Sequence, residues 1–366
     1  MRIAIISTCA VAAPPKDYGG TELVVAELAK TLVRRGHDVT VFATGDSKPG
    51  AKLEFRFPTP VWPPRELAEL RHALFAWREV ANGGFDIVHA HQAQALALGA
   101  LAAETPVVMT IHHCRDEELL EFYRDTPEAN FVAISRRQAE LVPELGPRFV
   151  VHHGLDPSRY AAGRGRGGYC AFLGRFAAEK GPHDAIDAAL EAGVSLRMGG
   201  APHAPDQTYF DAEVLPRLAR AKKKVTRLGP VGWRAKVDLL GGARALLFPI
   251  HWEEPFGLVM IESMLVGTPV LAFARGSVAE VVEDGVTGFV VDDVHGMAAR
   301  LRRLDDFDRE RCRARAIERW GAARMAADYE RVYEEVLRRG SRMREIQSSG
   351  EYARPDVVEE PWANQK

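Results

Sequence analysis

Short apolar runs alternate with longer segments of helical period along this chain, and this alternation most constrains its fold. In the opening unit, Arg2 to Ser7 has the composition of a strand, Thr21 to Arg35 that of a helix, and Asp38 to Ala43 that of the next strand. Runs of this kind pack as a parallel sheet with helices on its faces. The alternation therefore predicts an α/β fold.

The alternation comes in two series, and the segment AAGRGRGG lies between them. This glycine- and arginine-rich composition is typical of an interdomain linker, and 366 residues suit two domains of about 150 residues each. We therefore expect a first lobe over 1–160, a linker over 161–168 and a second lobe over 169–320. A helix over 321–339, packed back toward the first lobe, and a polar tail over 340–366 complete the predicted organisation.

Composition and charge argue against several other classes of protein. A net charge of −2 provides no basic field that would gather nucleic acid. The cysteines form no CxxC pair, which argues against a zinc knuckle, a redox motif or a disulfide framework (Cys9, Cys114, Cys170 and Cys312). No stretch approaches the ~18 apolar residues of a membrane span, and the apolar run at the start is too short for a signal peptide. We expect a soluble, cytoplasmic protein without a nucleic-acid partner.

The stretch HWEEPFGLVMIESMLVGTPV carries two carboxylates, Glu254 and Glu262. Pro255 suits the first position of a helix, so we predict a helix over Phe256 to Leu265, with Glu254 at its start and Glu262 about two turns inside. The two carboxylates are then about 80° out of phase around the helix. This spacing favours contacts with different parts of one elongated ligand.

The turn that precedes this predicted helix suits an anion. The free amides of Phe256, Gly257 and Leu258 point outward at the positive end of the helix dipole. Carboxylates beside a phosphate would repel it, so the natural partners of Glu254 and Glu262 are hydroxyls, such as a sugar diol and a ribose diol. A nucleotide sugar has this layout. The alternative interpretation is a helix-capping glutamate and a solvated one.

Two cations lie upstream, in FLGRFAAEKGPHDAI. Arg175 and Lys180 follow a predicted strand and precede a predicted helix, which is where open α/β sheets bind ligands. Basic residues are disfavoured at helix N-termini, so their position indicates an anionic partner such as a diphosphate. A surface pair that flanks a helix start is the alternative.

Three segments together, GRFAAEKG, LLFPIHWEEPFGLVMIESMLVGTPVLA and GSVAEVVEDGVTGFVV, resemble the retaining glycosyltransferases of family four. The resemblance extends from MRIAIIS to the region of Trp320. It implies the GT-B fold, in which two Rossmann-like lobes with parallel sheets face each other across a cleft. It also implies that the second lobe binds the sugar donor and the first lobe binds the acceptor.

The resemblance also implies roles for residues of the second lobe. Arg175 and Lys180 would hold the diphosphate and stabilise the leaving nucleotide. Glu254 would face the hydroxyls of the donor sugar, and Glu262 would bind the ribose diol. The amides of residues 256–258 would line the sugar and phosphate region.

In the first lobe the resemblance covers YGGTELVVAELAK and VMTIHHC. Gly19 and Gly20 match a glycine pair that lets the backbone approach the phosphates or the acceptor, although simple turn glycines are an alternative. His112 aligns with the active-site histidine of the family, which meets the donor sugar. His113 stands where the family often has aspartate, so the choice between the two histidines stays open. His153 replaces a usual asparagine.

The implied chemistry retains the anomeric configuration. The acceptor attacks from the face that the nucleotide leaves, and the leaving phosphate helps to deprotonate the acceptor hydroxyl. This needs positioning and charge stabilisation more than a protein nucleophile, and it implies no cofactor and no metal. The expected reaction moves a hexose from a UDP- or GDP-linked sugar to a small-molecule, glycan or lipid-linked hydroxyl. A nucleotide-sugar epimerase of the same fold and an inactive nucleotide-sugar binding relative are the alternatives.

Two residue patterns could indicate a metal. His89 and His91 share one face of a strand end, but no third ligand is near them in sequence. Asp306 and Asp308 lie in a charged helical region, far from any predicted sheet end. We therefore expect no metal site.

Two other segments bear on membrane contact. The basic run Arg217 to Lys224 suits anionic lipid, and a solvated helix end is the alternative. The predicted helix Pro64 to Val80 carries an apolar stripe that suits either a membrane surface or packing on the first lobe. Weak peripheral membrane contact therefore stays open as a hypothesis.

Overall fold

Residues 1–17, 19–99 and 105–348 are described by a computed structural model, and within them two separate sheets form. Every pairing between their strands is parallel. The predicted α/β class with a parallel sheet in each of two lobes is therefore confirmed. The strands are β1 (Arg2–Ile6), β2 (Asp38–Ala43), β3 (Lys52–Phe55), β4 (Ile87–Ala90), β5 (Val107–Thr110), β6 (Asn130–Ala133), β7 (Phe149–Val150), β8 (Tyr169–Leu173), β9 (Ser195–Gly199), β10 (Val225–Gly229), β11 (Leu246–Phe248), β12 (Val270–Phe273) and β13 (Gly288–Val291).

The strand order places a reversal near the middle of each sheet. The first sheet has the order β3-β2-β1-β4-β5-β6-β7, and the second has the order β10-β9-β8-β11-β12-β13. The chain thus winds outward in one direction from β1 and from β8, and then in the other direction from β4 and from β11. Open α/β sheets bind ligands beyond the carboxyl ends of the strands at such a reversal. The segments that follow β8 and β11 are therefore where a ligand is expected.

Helices connect the strands and cover both faces of each sheet. Among those of the described ranges, none combines the length and apolar character that a membrane crossing requires. They are α1 (Gly20–Arg34), α2 (Glu66–Gly83), α3 (Gln94–Gly99), α4 (Glu117–Arg124), α5 (Arg136–Leu141), α6 (Pro182–Ala192), α7 (Gln207–Tyr209), α8 (Leu215–Ala221), α9 (Trp233–Gly242), α10 (Leu258–Leu265), α11 (Val278–Val281), α12 (Val294–Leu301), α13 (Arg309–Trp320) and α14 (Ala322–Ser348).

The central strands are buried along their whole length. All residues of β4, β5, β11 and β12 are inaccessible to solvent or nearly so. A parallel strand covered by helices on both faces has to be apolar on both sides, which explains the continuous β-branched and leucine runs in the sequence. Each sheet has two apolar clusters, one on each face.

Helix α14 follows the last helix of the second lobe and packs on the first lobe. Its Tyr329 and Tyr333 are fully buried in the apolar cluster that contains β1 and β2 residues. The Tyr329 hydroxyl lies 2.8 Å from Oγ1 of Thr110, and the Tyr333 hydroxyl lies 2.7 Å from Nδ1 of His89. The helix therefore anchors the end of the described chain to the first lobe through both apolar and polar contacts.

The bounds of several predicted helices differ from the observed ones, and two of these differences bear on the site and on the end of the chain. Helix α10 begins at Leu258 and not at Phe256, because Gly257 adopts a left-handed conformation with φ 77° and ends the preceding loop. The loose tail predicted from residue 340 begins too early, because α14 continues through Gly340 as far as Ser348. The rest of the predicted tail, 349–366, lies outside the described residues.

Candidate active site

Lys180 and Glu254 meet at the carboxyl ends of β8 and β11. The Lys180 Nζ lies 2.6 Å from Oε2 of Glu254, and the two side chains are 18% and 11% exposed. The indole N–H of Trp252 donates to the same oxygen at 2.9 Å, and the ammonium lies 4.0 Å from the centroid of the Trp252 ring. The structure thus brings together a predicted diphosphate cation and a predicted sugar-binding carboxylate, at the strand reversal.

Arg175 lies in the same segment as Lys180, directly after β8. Its guanidinium contacts Glu179 and also Asp206, at 3.3 Å from the Asp206 carboxylate. Arg175 is therefore held between two carboxylates, which fix its position beyond the carboxyl end of β8. An anion that binds here has to compete with them.

Glu262 is buried in the second turn of α10 and is 3% exposed. It forms an ion pair with Lys236, and the Tyr160 hydroxyl donates to its Oε1 at 3.2 Å. Burial and the negative charge of Glu262 hold the pKa of Tyr160 well above its ordinary value, so Tyr160 stays a hydrogen-bond donor. Sequence reasoning missed Tyr160 and Lys236, because neither belongs to the segments with a motif.

Trp233 connects this carboxylate to the first lobe. Its ring centroid lies 5.0 Å from the Lys236 Nζ and 4.0 Å from the Arg159 guanidinium carbon. Arg159 in turn donates at 2.6 Å to Glu27, a buried residue of α1. A continuous row of charged and aromatic groups therefore runs from α1 to Glu262.

The turn before α10 packs closely against its surroundings. A Cβ on Gly257 would lie 2.6 Å from Cε of Met260, closer than side-chain carbons approach one another. Phe256 is buried, and its ring centroid lies 4.9 Å from that of His153 in the first lobe. The 256–258 segment thus forms part of the contact between the lobes.

Gly20 lies at the start of α1, opposite this turn. A Cβ on Gly20 would lie 3.4 Å from Cδ1 of Leu258, so the first-lobe glycine approaches the first residue of α10. At Gly19 a Cβ would lie 2.8 Å from Oε2 of Glu22 and 3.0 Å from Cβ of Pro15. A side chain at Gly19 would therefore have little room, whereas a Cβ at Gly20 would make an ordinary van der Waals contact with Leu258.

Four histidines form a row in the first lobe that ends at the second lobe. Neighbouring ring centroids lie 4.1 Å apart for His89 and His91, 5.0 Å for His91 and His112, and 5.3 Å for His112 and His153. The Nδ1 of His91 is 2.8 Å from Nε2 of His112. The protein packed around them lowers the pKa of His89 and of His112 to about 3 and holds the pKa of His91 and of His153 well below the ordinary value. At neutral pH His112 is therefore an uncharged imidazole.

His113 points to a different set of partners. Its Nε2 lies 2.9 Å from the Tyr123 hydroxyl, and its Nδ1 lies 2.6 Å from the Cys114 carbonyl oxygen. Both partners belong to the first lobe. His112 instead stacks on His153, whose ring packs on Phe256 of the second lobe.

Direct hydrogen bonds hold the two lobes together beside the site. Glu280 accepts from the amides of Arg136 and Arg137 at 2.8 and 2.7 Å, and its Oε2 lies 2.9 Å from Nε2 of His152. Burial raises the pKa of Glu280, but these hydrogen bonds outweigh it and the pKa is lowered. Arg137 also pairs with Glu253 at 2.8 Å. The ionised Glu280 carboxylate therefore fastens the start of α5 to the second lobe.

Comparison with known proteins gives a consistent result for both lobes. The model described as Glycosyltransferase Family 4 matches residues 18–159, and the model described as Glycosyl transferases group 1 matches residues 164–319. The two matches meet close to the predicted linker and together span most of the chain.

Individual relatives are similar over most of their length. The D-inositol 3-phosphate glycosyltransferase of Streptomyces avermitilis is 29% identical, over 80% of this chain and 76% of the relative. The phosphatidyl-myo-inositol mannosyltransferase of Mycolicibacterium smegmatis is 27% identical, over 98% of this chain and 100% of the relative. The crystal structure of Anabaena Alr3699/HepE in complex with UDP and glucose has a TM-score of 0.71 at 21% identity, over 91% of this chain and 99% of that chain. The structural match shows a shared fold.

Proposed function

The chain belongs to the GT-B glycosyltransferases of the family-four type, and we propose that it moves a hexose from a UDP- or GDP-linked sugar to a hydroxyl acceptor with retention of configuration. The observation that carries this proposal is that two lysine–carboxylate pairs form in the second lobe, the first of them at the strand reversal. Lys180 meets Glu254, and Lys236 meets Glu262. Each pair offers both an anion-binding cation and a hydroxyl-binding carboxylate.

In this proposal the diphosphate is held by Arg175 and Lys180. Both side chains follow β8 and are paired with carboxylates, Arg175 with Glu179 and Lys180 with Glu254. A bound diphosphate replaces Glu254 as the partner of Lys180, and this frees the Glu254 carboxylate for the sugar hydroxyls. Cations at this position stabilise the charge that develops on the leaving nucleotide. Because Arg175 and Lys180 supply positive charge opposite the leaving phosphate, we propose that the transfer needs no metal ion.

The ribose is proposed to bind at Glu262. A diol donates two hydrogen bonds to one carboxylate, and charge-assisted bonds of this type are stronger than neutral ones. Tyr160 and Lys236 hold the Glu262 carboxylate in place from the protein side. These two contacts orient the Glu262 carboxylate before the nucleotide binds.

Sugar and acceptor are proposed to meet between His112 and the 256–258 amides. An uncharged His112 hydrogen-bonds a sugar hydroxyl without adding positive charge beside the reacting carbon. Gly20 faces Leu258 of the second lobe, and in this proposal the backbone at Gly19 and Gly20, which carries no side chain, approaches the phosphates or the acceptor. Retention by same-face attack depends on such positioning.

The acceptor is proposed to be a hydroxyl of a polar small molecule, a glycan or a lipid headgroup. The names of two relatives specify D-inositol 3-phosphate and phosphatidyl-myo-inositol. Inositol phosphate and phosphatidylinositol are therefore the first acceptors to assay.

Binding of nucleotides to the wild type and to Glu262→Ala tests the proposal. UDP, GDP, ADP and NAD are titrated calorimetrically, and the sugar donors of the nucleotide that binds are then assayed for hydrolysis with and without a chelator. We expect one nucleoside diphosphate to bind, and the loss of two charge-assisted hydrogen bonds of about 1.5 kcal/mol each to weaken it roughly 100-fold in Glu262→Ala.

A matched control is Glu318→Ala, which removes a glutamate whose side chain is 68% exposed and should leave the affinity unchanged. Binding of NAD in place of a nucleoside diphosphate, or equal affinity of Glu262→Ala and the wild type, would contradict the proposal. Binding without donor hydrolysis or transfer would indicate an inactive relative.

A further inference from the structure

Three potential metal ligands meet on the second lobe, beside the proposed donor site. His183 and Asp184 lie in the first turn of α6, and His251 follows β11. One ligand atom from each residue lies within 4.8 Å of the other two. His251 Nε2 is 2.6 Å from Oδ2 of Asp184, and His183 Nε2 is 3.5 Å from Oδ1 of the same carboxylate.

The donor set matches the preferences of zinc. Two imidazole nitrogens and one carboxylate oxygen form a common three-ligand set for Zn²⁺, with a fourth position left to water. Metal–ligand bonds of about 2.0–2.2 Å place neighbouring ligand atoms about 3–3.5 Å apart. The 3.5 Å separation already fits this geometry. The 2.6 Å separation is that of a hydrogen bond, whose shared proton an incoming ion would replace.

The surroundings orient these ligands. The Tyr209 hydroxyl lies 2.6 Å from Nδ1 of His183, so the opposite nitrogen, Nε2, is directed to Asp184. Metal-binding histidines usually have such a partner on their second ring nitrogen. The His251 amide donates to the Glu179 carbonyl at 2.8 Å, and this bond fixes the loop. The two imidazole planes are inclined by only 19°.

Space and charge next to the cluster also suit a cation. Asp184 and His251 line a cavity of about 340 Å³ that leaves room for a water ligand. Asp292 and Asp293 line the same cavity, with Arg275 as an opposing charge. The positive end of the α6 dipole also disfavours a cation here. The three negative charges of the Asp184, Asp292 and Asp293 carboxylates nevertheless exceed the single positive charge of Arg275.

We propose that His183, Asp184 and His251 bind a divalent transition-metal ion of the zinc type. The ion would tie the start of α6 to the loop after β11, which are the segments that carry Lys180 and Glu254. Its role is to brace these segments, and it takes no part in the proposed transfer. Ion binding is measured without nucleotide or acceptor, so its result does not depend on the proposed transferase function.

Titration of the chelator-treated full chain with Co²⁺ and Zn²⁺ tests the site. Co²⁺ is followed by the visible absorption of the bound ion, and Zn²⁺ is followed by calorimetry and by the thermal unfolding midpoint. We expect one saturable equivalent and a higher midpoint, because an ion that binds only the folded state stabilises it. His251→Ala should weaken binding at least tenfold, and Tyr209→Phe should weaken it less, since Tyr209 acts through His183.

The control variant is His295→Ala. His295 is a surface histidine whose side chain is 82% exposed and which lies 2.7 Å from Glu191, so its removal should leave binding unchanged. The absence of saturable binding in the wild type would overturn the proposal. Equal affinity of His251→Ala and the wild type would also overturn it, since the ion would then bind elsewhere.

Discussion

Replacement of Glu254 by glutamine tests the proposal that this carboxylate binds the sugar and not the nucleotide. The substitution keeps the size of the side chain and removes its charge. The carboxylate contacts Lys180 at 2.6 Å and Trp252 at 2.9 Å, and an amide oxygen still accepts from Trp252. Lys180 also keeps its contact with the Trp252 ring at 4.0 Å. The local structure should therefore survive the change.

The magnitude for folding follows from the burial of the Lys180–Glu254 pair. Exposed ion pairs contribute about 0–1 kcal/mol, and loss of one partner of a fully buried pair costs about 3–5 kcal/mol. With side chains 18% and 11% exposed, and an amide left as a neutral partner, we expect a loss of about 1–2 kcal/mol in the free energy of unfolding. Urea denaturation measures this value.

The magnitude for catalysis follows from the proposed sugar contacts. A hydrogen bond to a charged group contributes about 1 kcal/mol more than a neutral one. For two sugar hydroxyls the loss is about 2 kcal/mol, or roughly 30-fold in donor turnover. Affinity for the nucleoside diphosphate should stay the same or rise, because Lys180 no longer has to leave a carboxylate to bind phosphate.

Donor hydrolysis and nucleotide calorimetry on Glu254→Gln and Glu253→Gln make the comparison. Glu253 is the adjacent residue, but it is 40% exposed and pairs with Arg137 of the first lobe. Its replacement leaves the proposed sugar contacts in place and weakens one half-exposed ion pair, so turnover should change less than about threefold. A tenfold fall in nucleotide affinity of Glu254→Gln would refute the assignment of Glu254 to the sugar. Unchanged turnover of that variant would refute it as well.

Three further perturbations test the pH dependence, the turn and the lobe contact. The folded state holds the pKa of His112 to about 3, and that of His153 well below its ordinary value. Below about pH 6.5 the unfolded chain binds more protons than the folded protein, so the free energy of unfolding falls as the pH is lowered. His153→Asn should reduce this fall between pH 6 and pH 5 by about 1.2 kcal/mol, and an unchanged fall would count against buried neutral histidines. Gly257→Ala should lower the free energy of unfolding in urea by about 1–2 kcal/mol, since alanine is strained at φ 77° and its Cβ would contact Met260. Gly285→Ala is the control, because this glycine also has a positive φ but lies in open space, so the loss should be smaller. Glu280→Ala removes the acceptor of three hydrogen bonds between the lobes, so the radius of gyration measured by small-angle scattering should increase. The same radius as in the wild type would show that other contacts are enough to hold the lobes together.

The α/β class could be predicted from the sequence because its signals are local. Strand and helix periods repeat within windows of a few residues, and buried parallel strands such as β4 and β11 have to be apolar on both faces. Lys180, Glu254 and Glu262 could also be proposed as site residues from local signals, since each lies in a segment whose residue types favour anions or diols. Helix boundaries were less predictable. Pro255 indicated a helix start directly after it, but Gly257 is left-handed and α10 begins only at Leu258.

Tertiary structure alone decided which of these side chains meet. Lys180 and Glu254 are 74 positions apart and become neighbours because β8 and β11 pair in parallel at the strand reversal. Lys236 reaches Glu262 through the packing of α9 on α10. His153, which stacks on His112, comes to lie against Phe256 through the packing of one lobe on the other. Such contacts are set by strand order and helix packing over the whole chain, and no local period or propensity encodes the distance between two side chains that the fold alone brings together.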